Sequence, residues 1–330
     1  MSHAIVIPEI GAPEVLQSQD MPTPTPGTGE ILIRNHAAAV NFIDTIIRRG
    51  EMPEGMMPDL PHVPGVEGAG VVEALGDGVD GFAIGDRVAW IGPIGAGGYG
   101  SHVIIGAPYV THLAETIDFA TAAAVPVNAV TAWHMLVNLG HARPGDSTLI
   151  HAAAGGVGTM AVQIAKHLGL TVIASVSTGK LDYARKQGAD HVIDYRQEDV
   201  AARVKDITQG RGVDLTLNPI SGESVTSDLE ALAPLGTAVI FGFLAGPPTG
   251  TFAEDLTQHF QKSVALRVSD IYTYFGDRPQ AFSADLSHVL DLLGQGILRP
   301  QVEALPLTDA AEAHRRLETG HTTGKLVLTI

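Results

Sequence analysis

The chain of 330 residues contains no cysteine. That excludes disulfides, thiolate nucleophiles, iron–sulfur clusters and thiolate zinc sites together, and leaves histidine and carboxylate side chains as the remaining metal ligands. Cations are scarce too: 20 Lys and Arg stand against 36 Asp and Glu, a net charge of −16. Neutralising phosphates requires clustered Lys and Arg, so nucleic acid is not an expected partner. The excess acid reads as solubility and self-repulsion. Aromatic residues make up 5% of the chain while 45% of it is apolar, with 38 Gly and 20 Pro as punctuation. This is the composition of a globular protein with many turns, neither disordered nor fibrous. The most apolar long stretch, Phe119 to Trp133, contains Pro126 and Asn128 and is too short to cross a bilayer. The amino terminus has no basic region and its apolar run ends at Pro8, so a signal peptide is not expected and a cytoplasmic location is the default.

At roughly 100 to 200 residues per domain, the length predicts about two domains. From residue 1 to about 120, short β-rich runs alternate with Gly and Pro turns, for example Glu30 to Ala39, Gly70 to Leu75 and Asp86 to Trp90. From about residue 123 the rhythm becomes strand, helix, strand: Ser147 to His151, a helix from Gly156 to Leu168, Thr171 to Val176, a helix from Lys180 to Gln187, then His191 to Tyr195. Such alternation predicts βαβ units and a parallel sheet. Further strands at Val213 to Leu217, Ala238 to Phe243 and Val264 to Val268 bring the count to about six, that of a full dinucleotide-binding sheet. The fold class is therefore α/β, a β-rich domain joined to a doubly wound Rossmann sheet.

Ala153-Ala154-Gly155-Gly156-Val157-Gly158 follows a strand and opens a helix, the context in which a glycine pattern of the form A-x-G-x-x-G points to a pyrophosphate. Gly155 lets backbone approach the phosphates, Gly158 lets helix and strand pack closely, and the helix N-terminus offers amides and a positive dipole end. A glycine-rich turn that binds nothing is the alternative. An acid about 20 residues on would hold a free ribose 2′-hydroxyl. Here the second strand runs into Ser177-Thr178-Gly179-Lys180, with no acid before Asp182. Hydroxyls and a lysine suit a 2′-phosphate, so NADPH is the expected cofactor, with Tyr195 closing over the same group. Lys180 as a solvated residue in a first helical turn is the bland reading.

The strand-AAAGGVG-helix, the GVEGAGVVEALGDGV run with GDRV, NFID at residues 41 to 44 and the closing GKLVL occur in one order. In this the chain resembles the zinc-free quinone oxidoreductase branch of the medium-chain dehydrogenase/reductase superfamily, the zeta-crystallin-like proteins. The resemblance implies a GroES-like catalytic domain over residues 1–122, completed by 297–330, and a Rossmann NADPH-binding domain over 123–296. It implies an active site in the cleft and a homodimer pairing Rossmann sheets edge to edge. The zinc-dependent branch carries Cys where Asn41 stands and His before the Glu of its G-H-E-G motif, where this chain has Gly65-Val66-Glu67-Gly68. Fourteen histidines remain, with no pair at metal-ligand spacing, so no metal is expected.

Without a Lewis acid, the chemistry expected is hydride transfer from NADPH to an acceptor already electrophilic: a quinone or, as the alternative, an activated C=C of an enone or enal. A non-enzymatic NADPH-binding role is the reading from another class. Asn41 and Asp44 match the NFxD motif and are the candidates near the nicotinamide, Asn41 as hydrogen-bond partner of a substrate oxygen or of the cofactor. Both also suit a local helix cap starting at Phe42. Related reductases have tyrosines at the positions of Ile46 and Met52, so the expected pocket is more aliphatic, with Tyr99, Tyr272 and Tyr274 as replacement donors. The other cofactor contacts implied are Thr131 near the phosphates, Asn218 at the end of the fourth strand, Gly242 and Phe243 after the fifth, Ser269 after the sixth, and Lys325. Thr131 also reads as an ordinary helix residue, Gly242 as a strand end and Lys325 as a solvated tail charge.

Overall fold

The structure, a computed structural model, describes residues 1–53, 55–249 and 252–330. The chain divides into two compact units, residues 1–130 with 275–330, and residues 131–274.

In the first unit, β1 (Ser2–Val6) pairs antiparallel with β2 (Gln17–Met21). β3 (Glu30–Ala39), β4 (Glu67–Leu75), β5 (Arg87–Ile91), β6 (His102–Gly106) and β7 (Val110–His112) build an antiparallel sheet. Alternation along β3 sends Ile31 and Ile33 into a core with Val72, Val88, Trp90, Val103 and Ile105. Between β3 and β4 the helix Phe42–Arg49 begins at Asn41, which holds an extended backbone at φ −114° and ψ 155°, and ends at Gly50 with φ +72°. Glycine alone takes that left-handed conformation without strain.

The second unit is a six-stranded parallel sheet of β8 (Ser147–His151), β9 (Thr171–Val176), β10 (His191–Asp194), β11 (Val213–Asn218), β12 (Leu232–Ile240) and β13 (Ala265–Val268). Its strand order, β10-β9-β8-β11-β12-β13, is that of a dinucleotide-binding sheet, with the order reversing between β8 and β11. Strands buried on both faces read as apolar runs, as Leu149, Ile173 and Ile193 do. The helix Pro279–Gly294 falls in the first unit, although the sequence reading carried the dinucleotide-binding region through residue 296. Its Phe282 and the preceding Phe275 pack on Tyr109, with Tyr109 and Phe275 stacked at 3.8 Å between ring centroids.

The chain then returns to the first sheet. β14 (Val302–Pro306) pairs with β15 (Lys325–Thr329), and β15 runs antiparallel to the end of β3 with Val327 opposite Ala39. This pairing carries Lys325, at the far end of the sequence, to the start of the helix that follows β3.

Candidate functional site

Among the residues of the second unit expected to meet the cofactor, all but Thr131 fall at the carboxyl ends of the parallel strands, where open α/β sheets bind ligands. The turn after β8 runs through Ala152, at φ +48°, into Gly155, and the helix Gly156–His167 starts there with no acidic residue in its first turn. Its amides and dipole end are left to an anion. A Cβ on Gly158 would lie 2.4 Å from the Ala152 carbonyl oxygen and 2.6 Å from Ala153 Cα, so only glycine permits this approach of helix to turn. Ala154 is buried, while Gly155, Gly156 and Val157 stay partly exposed.

Ser177 follows β9 and leads into the short helical turn Thr178–Lys180, and Tyr195, half exposed, follows β10. Burial, and then the charge of Arg196, depress the Lys180 ammonium below its ordinary range. Two cations that repel each other at these strand ends are an arrangement an anion relieves. Thr131 Oγ1 and Ser269 Oγ are buried hydroxyls with no protein hydrogen-bond partner, and a cofactor's polar atoms suit them. Gly242 follows β12, where a Cβ would approach the Pro219 oxygen to 2.9 Å, and Phe243 beside it is 55% exposed. Asn218 differs from expectation. It is fully buried, its Oδ1 accepts the N–H groups of Ile220 and Ser221, and its Nδ2 donates to Ser224 and to Asp228. Asp228 also takes His151 Nε2 at 2.8 Å. Asn218 thus shapes the turn after β11 and has no side-chain atom left for a ligand.

In the first unit, a buried polar cluster gathers around Asn41. Its Nδ2 donates to Glu67 Oε1 at 2.9 Å and weakly to the Ala39 oxygen at 3.4 Å, and its Oδ1 accepts Lys325 Nζ at 2.5 Å. Lys325 Nζ also lies 2.8 Å from Glu67 Oε1, while the other Glu67 oxygen accepts the Val127 N–H at 2.7 Å. A third Lys325 contact, to Asn128 Oδ1, is long at 3.4 Å. Removing both charges of such a pair from water is costly, and the hydrogen bonds to every oxygen are what make the arrangement tolerable.

Asp44 stands behind this cluster. One carboxylate oxygen accepts the Asn41 N–H at 2.8 Å and the Tyr99 hydroxyl at 3.2 Å, and the other accepts the Gly65 N–H at 3.1 Å. Burial nevertheless pushes its carboxyl up to about 6, against the pull of those donors and of Lys325. Tyr99 Oη is 3.1 Å from His314 Nε2, and Arg48 Nε donates to His314 Nδ1 at 3.2 Å. Because Nδ1 accepts, the neutral ring carries its proton on Nε2 and donates it to Tyr99, which donates to Asp44. Burial, reinforced by Arg48 and Arg49, drives His314 down to about 3, so it stays neutral. Burial and the Asp44 charge push the Tyr99 phenol well up.

Tyr99, expected on the substrate pocket, is therefore a buried link behind Asp44, because Asp44 and His314 consume its hydroxyl. The cap and the site coincide in Asn41: its backbone caps the helix through Asp44 and its side chain joins Glu67 and Lys325. Ile46 and Met52 are partly exposed. Tyr274 stacks on His134 at 4.0 Å. Glu67, Asn128, His314 and Arg196 escaped the sequence reading. Only Glu67 left a signal, as the Glu of Gly65-Val66-Glu67-Gly68 at the start of the glycine-rich run that forms β4. Among the described residues, no group of three or more His, Asp or Glu side chains is arranged to hold a metal ion.

The chain matches the family described as the alcohol dehydrogenase GroES-like domain over residues 27–127, and the zinc-binding dehydrogenase family over residues 187–328. A quinone oxidoreductase of Pseudomonas aeruginosa is 38% identical over 99% of both chains. A 2-haloacrylate reductase of a Burkholderia species is 33% identical, again over 99% of each. The crystal structure of Escherichia coli quinone oxidoreductase complexed with NADPH superposes with a TM-score of 0.89 at 32% identity, covering 99% of this chain and 100% of that one.

Proposed function

Because the chain belongs to the zinc-free quinone oxidoreductase branch of the medium-chain dehydrogenase/reductase superfamily, we propose that it is an NADPH-dependent oxidoreductase transferring a hydride to a quinone. The observation that carries the cofactor choice is Lys180 beside Arg196, with Ser177 and Tyr195 at the same strand ends, in place of an acid that would hold a free ribose diol. Bound NADPH supplies a hydride from its dihydronicotinamide ring. The amides opening the helix at Gly156 hold the pyrophosphate, Lys180 and Arg196 the 2′-phosphate, and the unpaired hydroxyls of Thr131 and Ser269 complete the cradle. Asn41, fixed through its backbone by Asp44, keeps the polar cluster in place, and Ile46 and Met52 give the acceptor an aliphatic, water-poor wall.

A second reading, reduction of an activated C=C in a small enone, enal or acrylate, is favoured by those two aliphatic side chains and by the 2-haloacrylate reductase relative. The decisive experiment follows NADPH and NADH oxidation against a panel of quinones and α,β-unsaturated carbonyls. Fast quinone turnover specific for NADPH supports the first reading and turnover with enones alone the second; silence across the panel leaves a binding protein. We further propose a cytoplasmic homodimer joined through β13. That strand ends the parallel sheet, and Val268 on it is 67% exposed, with Leu235 at 80% and Phe260 at 81% elsewhere in the same unit. Sedimentation of the protein at micromolar concentration tests the dimer. Among the described residues, no helix is long and apolar enough to cross a membrane.

A further inference from the structure

We propose that Lys325 is a catalytic residue: its ammonium binds the oxygen of the acceptor and delivers the proton that oxygen requires, while Glu67, Asn41 and Asn128 hold the ammonium in place. The inference rests on the reductase reading above and gives that reading its missing acid.

Asn41, the expected partner of the substrate oxygen, has spent one amide hydrogen on Glu67 Oε1 and its carbonyl on Lys325, and its second hydrogen reaches the Ala39 oxygen only at 3.4 Å. Asp44 accepts three donors and is fully buried, with Tyr99 behind it. Asp44 has no donor to aim at an acceptor, and the one loosely held hydrogen of Asn41 belongs to a neutral amide that cannot deliver a proton. Lys325 has three N–H bonds. Asn41 Oδ1 takes one at 2.5 Å and Glu67 Oε1 lies 2.8 Å away as the ion-pair partner, but the bond to Asn128 Oδ1 is 3.4 Å long, beyond the ordinary range. That loosely used hydrogen is the one available to an incoming oxygen.

Exposure points the same way. Glu67 and Asp44 are at 0%, whereas Lys325 at 6% and Asn41 at 7% are the members that reach the surface. The cluster opens on the side of Lys325 and Asn41, away from the carboxylates. Glu67 is anchored by the Val127 N–H, so the negative partner is fixed and the ammonium cannot swing away without leaving that charge unpaired. A preoriented cation aimed at the atom where negative charge develops is a strong device for lowering a barrier, because it does not reorganise during the reaction.

The step balances as follows. The acceptor gains a hydride, two electrons and one hydrogen nucleus, and the cofactor is left as NADP⁺. One acceptor oxygen takes a proton from Lys325 Nζ, leaving a neutral amine that regains its proton from water. A quinone becomes a hydroquinone. In an enone the hydride adds at the β-carbon, and the enol formed on the oxygen rearranges to the saturated ketone.

The test uses Lys325→Met, Lys325→Arg and the double variant Glu67→Gln/Lys325→Met, the last removing both charges so that no carboxylate is stranded. Expected is a fall in kcat of about 100-fold or more for Lys325→Met and for the double variant, with partial recovery in Lys325→Arg and an NADPH dissociation constant within about threefold of wild type. A readout independent of turnover is the absorbance of 4-nitrophenol added to the cofactor-free protein: wild type favours the bound phenolate, and both methionine variants abolish that preference. A double variant that melts like wild type and keeps kcat within about threefold overturns the proposal. So does phenolate binding that survives the loss of Lys325, and so does a pure loss of NADPH affinity with kcat intact, which would place Lys325 on the cofactor. A wild type that neither binds NADPH nor turns over any acceptor would sink the reductase reading itself, while the nitrophenol titration would still decide whether Lys325 receives an oxyanion.

Discussion

The two regions proposed to meet ligands are built by opposite means. The loop after β8 is made of backbone: seven consecutive residues, Ala152 to Gly158, small enough to bring amides to a helix N-terminus. The cluster around Asn41 is made of side chains drawn from the helix after β3, from β4, from the helix Pro126–Trp133 and from β15, with Asn41 and Lys325 lying 284 residues apart. A phosphate can be met by dipoles that any short sequence supplies, provided no Cβ intervenes. A buried ammonium needs a charge opposite it and an acceptor for every proton, and those come from wherever the fold can deliver them.

The strongest way to break the side-chain region is to strand a charge. Glu67→Ala leaves Lys325 buried beside two amides and is expected to destabilise the protein by about 3–5 kcal/mol; chemical denaturation measures this, and a loss under 1 kcal/mol would mean that water reaches the ammonium freely.

Acid is the next lever. The unfolded chain protonates histidine near 6.5, whereas His314 in the fold does so only near 3. Its contribution is complete above pH 6.5 and is lost as the pH falls below that value, by about 3 kcal/mol on reaching pH 4. Asp44 acts in the opposite sense. Raised from 3.8 to about 6, its carboxyl binds a proton in the fold first, so stability rises as the pH drops from 6 towards 4. Stability against pH for wild type minus His314→Gln should therefore fall on acidification, and for wild type minus Asp44→Asn it should rise. Parallel curves would show that neither group is shielded from water.

The backbone region breaks through size instead. Gly158→Ala places a Cβ against backbone atoms that cannot rotate away, at an expected cost of about 1–3 kcal/mol and with weaker NADPH binding, read by melting temperature and cofactor fluorescence. The smallest effect is the most selective. Lys180→Ala should raise the Michaelis constant for NADPH about tenfold, the equivalent of roughly 1.4 kcal/mol, and leave that for NADH nearly unchanged. Equal changes for both would remove Lys180 from the 2′-phosphate.

The same contrast explains what the sequence made legible. The helix at Gly156, the strands on either side of the loop and the whole of β3 follow from local pattern, since apolar alternation and glycine spacing act over a few residues. Local pattern starts β12 at Ala238, but the strand pairs from Leu232 onward, passing through Pro234-Leu235-Gly236 with Leu235 at φ +65°. That triplet has the chemistry of a turn, and the neighbouring β11 overrides it through a shift of register between Val213 and Leu215. Within the site, NFID revealed Asn41 and Asp44 as a pair. Tyr99 looked like a pocket phenol because its partner, His314, lies 215 residues away and has no local signature.

By itself, the sequence determined the backbone: where strands alternate, where glycine lets helix and turn approach, and which residue types stand at the strand ends. Tertiary structure decided which charges meet. The reason is physical. Backbone conformation is set by sterics among near neighbours, whereas the ionisation of Asp44 and His314 depends on desolvation by the folded chain, and the approach of Lys325 to Glu67 within 2.8 Å exists only once β15 has closed against β3.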